Sequence, residues 1–462
     1  MNPSAALLLF AAGILGLLYL DREGEAGVTP ALWLPTLWLW INCSRAPSLW
    51  LGLGPVNPTP QQVMEGSPLD AAILGLLLLL ALAIVWRRRE QVKPILKLAW
   101  PILLYFGYCG LSTLWSTYTA ISFKRWIKSW GDLAMVLVIA TEPDVSAAVR
   151  RVFSRAAFVL LPASVLVIKY YPLIGRYYDP WSGEAYNQGV SITKNGLGAI
   201  VYVLGLVTVW QFVSVLQQER LPHRRRRLLA QLVTLAFAIG LLSQSHSATS
   251  GVAFALGAGL LVILAVPAFR HRAAVHAIVV GILLAGGLAL WLGAEASVTH
   301  DLGRRANLTD RTVIWHAVLA QAAEKPLLGT GFESFWTGQN IQRVWARLPL
   351  GLDVNESHDG YIEVYAQLGA AGLAILAVLL VTAYRRAVTA FVRQPLPGGL
   401  LVPVVASVLV YNITEAGFRL LDVAWFALLL ALVWACRLIC EENAGAPSHP
   451  RPAAVSAPQV AW

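Results

Sequence analysis

Apolar residues run along this chain in blocks of about 16 to 25, the length that crosses a bilayer as a helix, with short polar segments between them. The pattern predicts spans near 5–20, 69–86, 96–115, 128–141, 156–171, 190–214, 228–245, 247–268, 274–292, 359–383, 400–414 and 420–438. The stretch ALWLPTLWLWINC at 31–43 is shorter and contains Pro35. It reads either as one more span or as an interfacial segment whose tryptophans sit in a headgroup belt. The period-two alternation of a membrane β-barrel is absent. The expected fold is therefore all-α: a polytopic membrane helical bundle of about 12 or 13 transmembrane helices. The first block, MNPSAALLLFAAGILGLLYL, has no basic leader region and no small-residue cleavage site, so it reads as a retained helix.

Composition agrees. Of 462 residues, 57% are hydrophobic and 13% charged, against about 25% charged in a soluble domain. The formal net charge of +10 raises the question of nucleic acid, but its placement answers it. The clusters Arg87-Arg88-Arg89, Arg150-Arg151, Arg224 to Arg227, Arg270 with Arg272, and Arg385-Arg386 all fall on one side of the predicted spans. Positive loops stay in the cytoplasm, so these arginines read as topology determinants and lipid-headgroup contacts, with no nucleic-acid partner. The opposite face receives loops 116–127, 172–189, 293–358 and 415–419, which in a bacterium face the periplasm or exterior. Residues 1–440 read as one transmembrane domain of the inner (plasma) membrane, with 293–358 as a large, partly helical periplasmic loop within it. The Ala- and Pro-rich end, 441–462, reads as a disordered cytoplasmic tail. Cys43, Cys109, Cys436 and Cys440 form no C-x-x-C pair, which argues against a metal or disulfide role.

Loops beyond about 15 residues are usually functional or disordered, and 293–358 has helical content. In NLTDRTVIWHAVLAQAAEKPLLGTGFESF, Thr309 or Asp310 can cap a helix. Val313, Ile314, Ala317, Val318 and Ala322 then form one apolar stripe, ended by Pro326, Gly329 and Gly331. That stripe lies along the membrane surface or covers the bundle. Arg311 falls in the first turn, where free N–H groups and a guanidinium suit a phosphate; the plainer reading is an arginine paired to Asp310 or exposed to water. Other external candidates are Lys124, Arg125 and Lys128 in SFKRWIKSW, Arg176 in YYPLIGRYYDPWSG, Lys194 in SITKNGLG and His246 in LLSQSHSATSG. Lys194 and His246 stand at the outer ends of spans, where ionisable groups are functional candidates, although Lys194 can simply snorkel.

The stretch NESHDGYIEVYAQLGAAG, 355–372, marks the border between the long loop and an apolar helix. Ser357 or Asn355 is expected to cap a helix starting at His358, with Tyr361 and Tyr365 on the His358 face and Asp359 and Glu363 on another. An imidazole at that mouth exchanges a proton near neutral pH and can act as a base. No D-x-D, H-E-x-x-H, G-x-S-x-G or P-loop occurs, which removes the usual support for metal-dependent nucleotide-sugar, protease, esterase and ATPase chemistry. No cofactor or metal is expected. What remains is an external site of cations with a candidate base, able to neutralise a diphosphate leaving group.

LTDRTVIWHAVLAQAAEKPLLGTGFESFW and SHDGYIEVYAQLGAAGLAILAVLL resemble, in this order, the elements of the O-antigen ligase and polymerase-like superfamily. The first is similar to its G-R-x-x-x-W element and following Pro-x-x-G-x-G turn. The second is similar to its His-(Asn/Asp)-x-(Tyr/Phe/Leu) helix start with a later Leu-Gly. SFKRWIKSWGD and SITKNGLG resemble the exopolysaccharide-polymerase branch. The resemblance spans about residues 100 to 435. It implies an all-helical fold of about twelve spans with a large periplasmic loop. It also implies metal-independent transfer of a glycan from a polyprenyl-diphosphate carrier to a hydroxyl on a lipid or glycan acceptor. By the same resemblance His358 matches the proposed base and Arg311 the arginine at the diphosphate. Asp310 stands where many relatives have Gly. Ser245-His246-Ser247 stands where many ligases have Ser-Arg-Gly, so His246, Lys194 or Arg125 is expected to supply the second cation, with Arg176, Asp359 and Tyr361 in acceptor or supporting roles. The other reading is a transporter or flippase of lipid-linked glycan, for which charges near the midplane on broken helices are expected; here they crowd at the outer ends.

Overall fold

The computed structural model describes residues 2–21, 27–54, 65–178, 184–218, 223–291, 308–349 and 354–444. The tail beyond 444, and parts of the long loop at 292–307 and 350–353, lie outside them.

The described chain is almost wholly helical: α1 Pro3–Leu20, α2 Trp33–Asn42, α3 Pro68–Arg87, α4 Arg89–Leu98, α5 Trp100–Ser112, α6 Thr119–Ala140, α7 Val145–Tyr170, α8 Lys194–Gln217, α9 Arg224–Ser245, α10 Ala248–Ala265, α11 Arg272–Trp291, α12 Leu308–Ala322, α13 Gln339–Trp345, α14 Gly360–Arg393, α15 Leu401–Thr414 and α16 Val423–Asn443. A two-stranded antiparallel hairpin, β1 Arg176–Tyr178 and β2 Ala185–Asn187, follows α7. Polar caps start the helices where the hydrophobic blocks begin: Ser67, Asp144, Thr193, Ser247 and Asp422 each accept a backbone N–H of the first turn.

Among the described residues nine helices are long and apolar enough to cross a membrane, or ten if the bent pair formed by α4 and the segment from Trp100 to Trp115 is one span. That pair bends by 88° and replaces the continuous helix expected at 96–115. The expected spans at 128–141 and 274–292 lie within α6 and α11. The first half of α6 carries Lys124, Arg125 and Lys128, so it is too polar to be counted as a span. Leucines at 8, 9, 15, 76 and 79 are more than half exposed on α1 and α3, an outward apolar surface that only a lipid environment satisfies. The chain is a multi-pass membrane protein.

The core is built around α16, buried almost throughout, with α4, α6, α8, α14 and α15 packed about it. The Trp-rich stretch resolves into α2, ten residues long and so about 15 Å, too short to span. Trp38 leaves the expected headgroup belt for the core, where it is 1% exposed and its Nε1 donates to Asp132 of α6 at 2.8 Å.

The segment after α12 interlocks with a break in α14. Gly369 has φ 66° and interrupts the helix, and the turn Pro326–Gly331 fills the break. Ala370 and Ala371 donate N–H to the carbonyls of Pro326 and Leu327 at 2.9 and 3.1 Å, while Thr330 and Gly331 donate to Ala366 and Gln367 at 3.3 and 2.8 Å. Backbone groups freed by the kink are thus re-satisfied by the loop, as apolar surroundings demand. A Cβ on Gly329 (φ 65°) would collide with the Gln367 backbone, and one on Gly369 with that of Leu327. The apolar stripe of α12 covers the bundle: Ile314, Ala317, Val318 and Ala322 pack with Phe335, Val344 and Ala366.

Candidate functional site

The start of α14 differs from expectation. The helix begins at Gly360, and Asp359 is its cap, its Oδ1 accepting from the N–H groups of Tyr361 and Ile362, both at 2.8 Å. A carboxylate accepts two first-turn donors at once and also suits the helix dipole, so it displaces Ser357 and Asn355 from that role. His358 therefore lies before the helix with a left-handed backbone, φ 52°, and shares no helical face with Tyr361 or Tyr365. Such a backbone at a non-glycine residue costs on the order of 1 kcal/mol or more and must be held by its surroundings. Buried Glu363 holds it. Glu363 accepts from Ser357 N and Oγ at 3.1 and 3.0 Å, from Trp336 Nε1 at 2.6 Å and from Gln367 Nε2 at 2.8 Å. Trp315 of α12 donates to the Ser357 carbonyl at 3.0 Å.

So turned, the imidazole enters a charge cluster. His358 Nδ1 lies 3.0 Å from Glu356 Oε1 and 3.5 Å from Glu415 Oε2. Glu415 is also paired with Arg311 Nη2 at 2.9 Å and accepts from Asn195 Nδ2 of α8 at 3.2 Å. Glu356 is paired with Arg419. The 3.0 Å contact is an ion-pair approach without linear hydrogen-bond alignment, since Nδ1 has no well-directed acceptor. Burial pulls the His358 pKa down, but the two carboxylates outweigh it and raise it to about 9. The imidazole is thus charged at neutral pH, above the near-neutral exchange expected from sequence. Burial pushes Glu356 up, yet His358 and Arg419 bring it down to about 2. Burial also raises Asp359.

With His358 protonated, three cations, His358, Arg311 and Arg419, meet the carboxylates of Glu356 and Glu415, and buried Glu363 lies in the field of Arg419. Glu356, His358 and Glu415 present ligand atoms within 4.8 Å of one another, a set that resembles a metal site. Both carboxylates are already engaged by Arg311 and Arg419, whose charges a divalent cation would have to displace, so the donor set fits an anion better than a metal.

The other candidates are dispersed around this cluster. Lys194 opens α8 next to Asn195, its Nζ 4.2 Å from the Tyr186 ring centroid. His246 closes α9 with a left-handed backbone, φ 51°. Arg125 donates to the Glu333 carbonyl at 2.5 Å and to Thr337 Oγ1 at 3.1 Å, and Arg176 to the Ile168 carbonyl at 3.0 Å; both make bonds away from His358. Tyr361 Oη donates to the Leu409 carbonyl at 3.0 Å, joining α14 to α15. The side chains of Thr309 and Asp310, the expected cap of α12, lie outside the described residues. Sequence reasoning passed over Glu356, Glu415, Arg419 and Asn195. The signal for Glu415 and Arg419 was charge inside a very short loop between two apolar spans.

The O-antigen ligase family model matches residues 231–377, which include both Arg311 and His358. The exopolysaccharide production protein ExoQ of Rhizobium meliloti (strain 1021) is 29% identical over 299 residues, covering 61% of this chain and 64% of that protein. The chain is therefore similar to the O-antigen ligase family over the segment that carries Arg311 and His358, as its two long motifs indicate, whereas Glu415 and Arg419 lie beyond the matched residues.

Proposed function

We propose that the protein is a membrane glycosyltransferase of polysaccharide assembly. It moves a glycan from a polyprenyl-diphosphate carrier to a hydroxyl on a glycan or lipid acceptor at the periplasmic face. The observation that carries this reading is the cluster in which Glu415 joins His358 to Arg311, the last two lying inside the family-matched segment. Arg311, helped by Lys194, binds the donor diphosphate and takes up charge as it leaves. His358, with Nδ1 turned to the carboxylates, uses Nε2 to accept the proton of the hydroxyl that attacks the anomeric carbon. The lipid diphosphate departs from the opposite side, inverting that carbon. No metal is required.

A base with a pKa near 9 is neutral in about one molecule in a hundred at pH 7, but the neutral form is correspondingly stronger. The rate is therefore expected to rise with pH until about 9. The Glu356–His358 arrangement serves the logic of a carboxylate that orients an imidazole and stabilises its charged form.

The test is to reconstitute the purified protein in liposomes with polyprenyl-diphosphate glycan and an acceptor, and to follow free polyprenyl diphosphate. Its release, matched by glycan on the acceptor, supports the transferase. Movement of intact lipid across the bilayer without release supports the transporter instead.

A further inference from the structure

A cavity of about 380 Å³ opens at the end of the bundle opposite His358. It is lined near the starts of α7 and α9 and the end of α8, whereas Lys194 starts α8 and His246 closes α9. Arg150, Arg151 and Arg155 of α7 meet Arg227 of α9 around it, with Asp21 as the acid among its lining residues. Two clusters that are far apart in sequence are folded into one wall. Topology alone requires only that arginines lie on one side, and it does not require them to converge on a common void.

The floor is built. Gln211 and Gln231 are 3% and 2% exposed. Gln231 Nε2 donates to Gln211 Oε1 at 2.8 Å and Ser154 Oγ to the same oxygen at 2.9 Å. Arg155 is laid flat over the Trp33 ring, 4.1 Å from its centroid. Arg151 and Arg155 stand one turn apart on α7, and a phosphate between their guanidiniums relieves the repulsion of like charges. Their planar forks match phosphate oxygens, and the volume lies in the usual range for small ligands. One wall is membrane-facing: Leu18 of α1 lines the cavity and is 37% exposed, and Leu15 a turn earlier is 66% exposed.

We propose that this cavity binds the phosphodiester headgroup of an anionic membrane lipid, with the acyl chains lying along α1. Basic pockets between transmembrane helices are suited to such headgroups. The test is native mass spectrometry of the full-length protein after exchange into mixed phosphatidylglycerol and phosphatidylcholine. Wild type is expected to retain phosphatidylglycerol at least about tenfold over phosphatidylcholine, as several charge-assisted contacts allow. Arg151→Gln with Arg155→Gln should abolish that preference, whereas Arg225→Gln with Arg272→Gln, exposed arginines at the same end, should keep it. If the double variant does not fold, Arg155→Lys replaces it and should lose most of the preference, because the fork is gone. A folded cavity variant that retains phosphatidylglycerol like wild type overturns the proposal. Protection by millimolar inorganic phosphate equal to that by the lipid identifies free phosphate as the ligand and overturns the lipid assignment.

Discussion

His358 and Glu356 make the stability of the site a function of pH. The folded-state pKa of His358 is raised from 6.5 to about 9. Its contribution is therefore complete below about pH 6.5 and lost as pH rises through 9. Glu356 is lowered from 4.5 to about 2, so its contribution is present above about 4.5 and lost as pH falls toward 2. The protein is expected to be most stable between about pH 4.5 and 6.5. The alkaline loss is at most on the order of 3 kcal/mol. His358→Gln should flatten the alkaline side in thermal unfolding from pH 6 to 9.5; an unchanged slope contradicts the ion pairing. Arg311 has a separate expectation. Arg311→Lys keeps the charge but not the fork, and should weaken donor binding by roughly 1.5–3 kcal/mol, read as donor retained on the purified protein. Binding at the wild-type level contradicts the assignment. Arg311 and His358 stood out as candidates in the sequence because each sits in a strong local motif, and the fold brings both to Glu415. Their partner Glu415 did not, because it arrives from the far side of α14 and no local spacing records that approach.

At the scale of elements, the Pro326–Gly331 turn and the break at Gly369 form one device, and it fixes where the long loop meets α14. Gly369→Ala would have to hold a strained backbone and push apart two segments in backbone contact. It should cost about 2–4 kcal/mol, seen as a lower Tm and as faster proteolysis within 326–349. Gly240→Ala, at a helical glycine where an added Cβ meets nothing within 4 Å, is the control and should neither lower Tm nor speed proteolysis. Equal behaviour of the two variants contradicts the interlock. Hydrophobic blocks revealed the helices because length and polarity alone decide a span. The break at Gly369 was hidden, since QLGAAGLAILAVLL is continuous in polarity and only the backbone shows the interruption. The capping error at Asp359 has the same origin. Ser357, Asp359 and Asn355 are all competent caps, and burial of Ser357 against Glu363 decides among them.

Across the whole molecule, α9 separates Arg224 to Arg227 at one end from His246 at the other by about 33 Å. The basic clusters and the His358 cluster thus occupy opposite ends of the bundle, and in the topology we propose from the positive-inside rule the latter faces the periplasm. A single cysteine placed at exposed position 342 in a cysteine-free background is expected to react with an impermeant reagent in intact cells, and one at 225 only in opened cells; the reverse pattern removes the site from the face where a lipid-linked donor waits. The central claim is tested most directly by glycan transfer from purified polyprenyl-diphosphate glycan in EDTA, comparing wild type with His358→Ala across pH 6 to 9.5. Loss of general-base help should lower the rate by about 10² to 10⁴, with donor binding retained and the wild-type rise toward pH 9 abolished. Full activity in the His358→Ala protein, or a strict metal requirement in the wild type, would contradict the account.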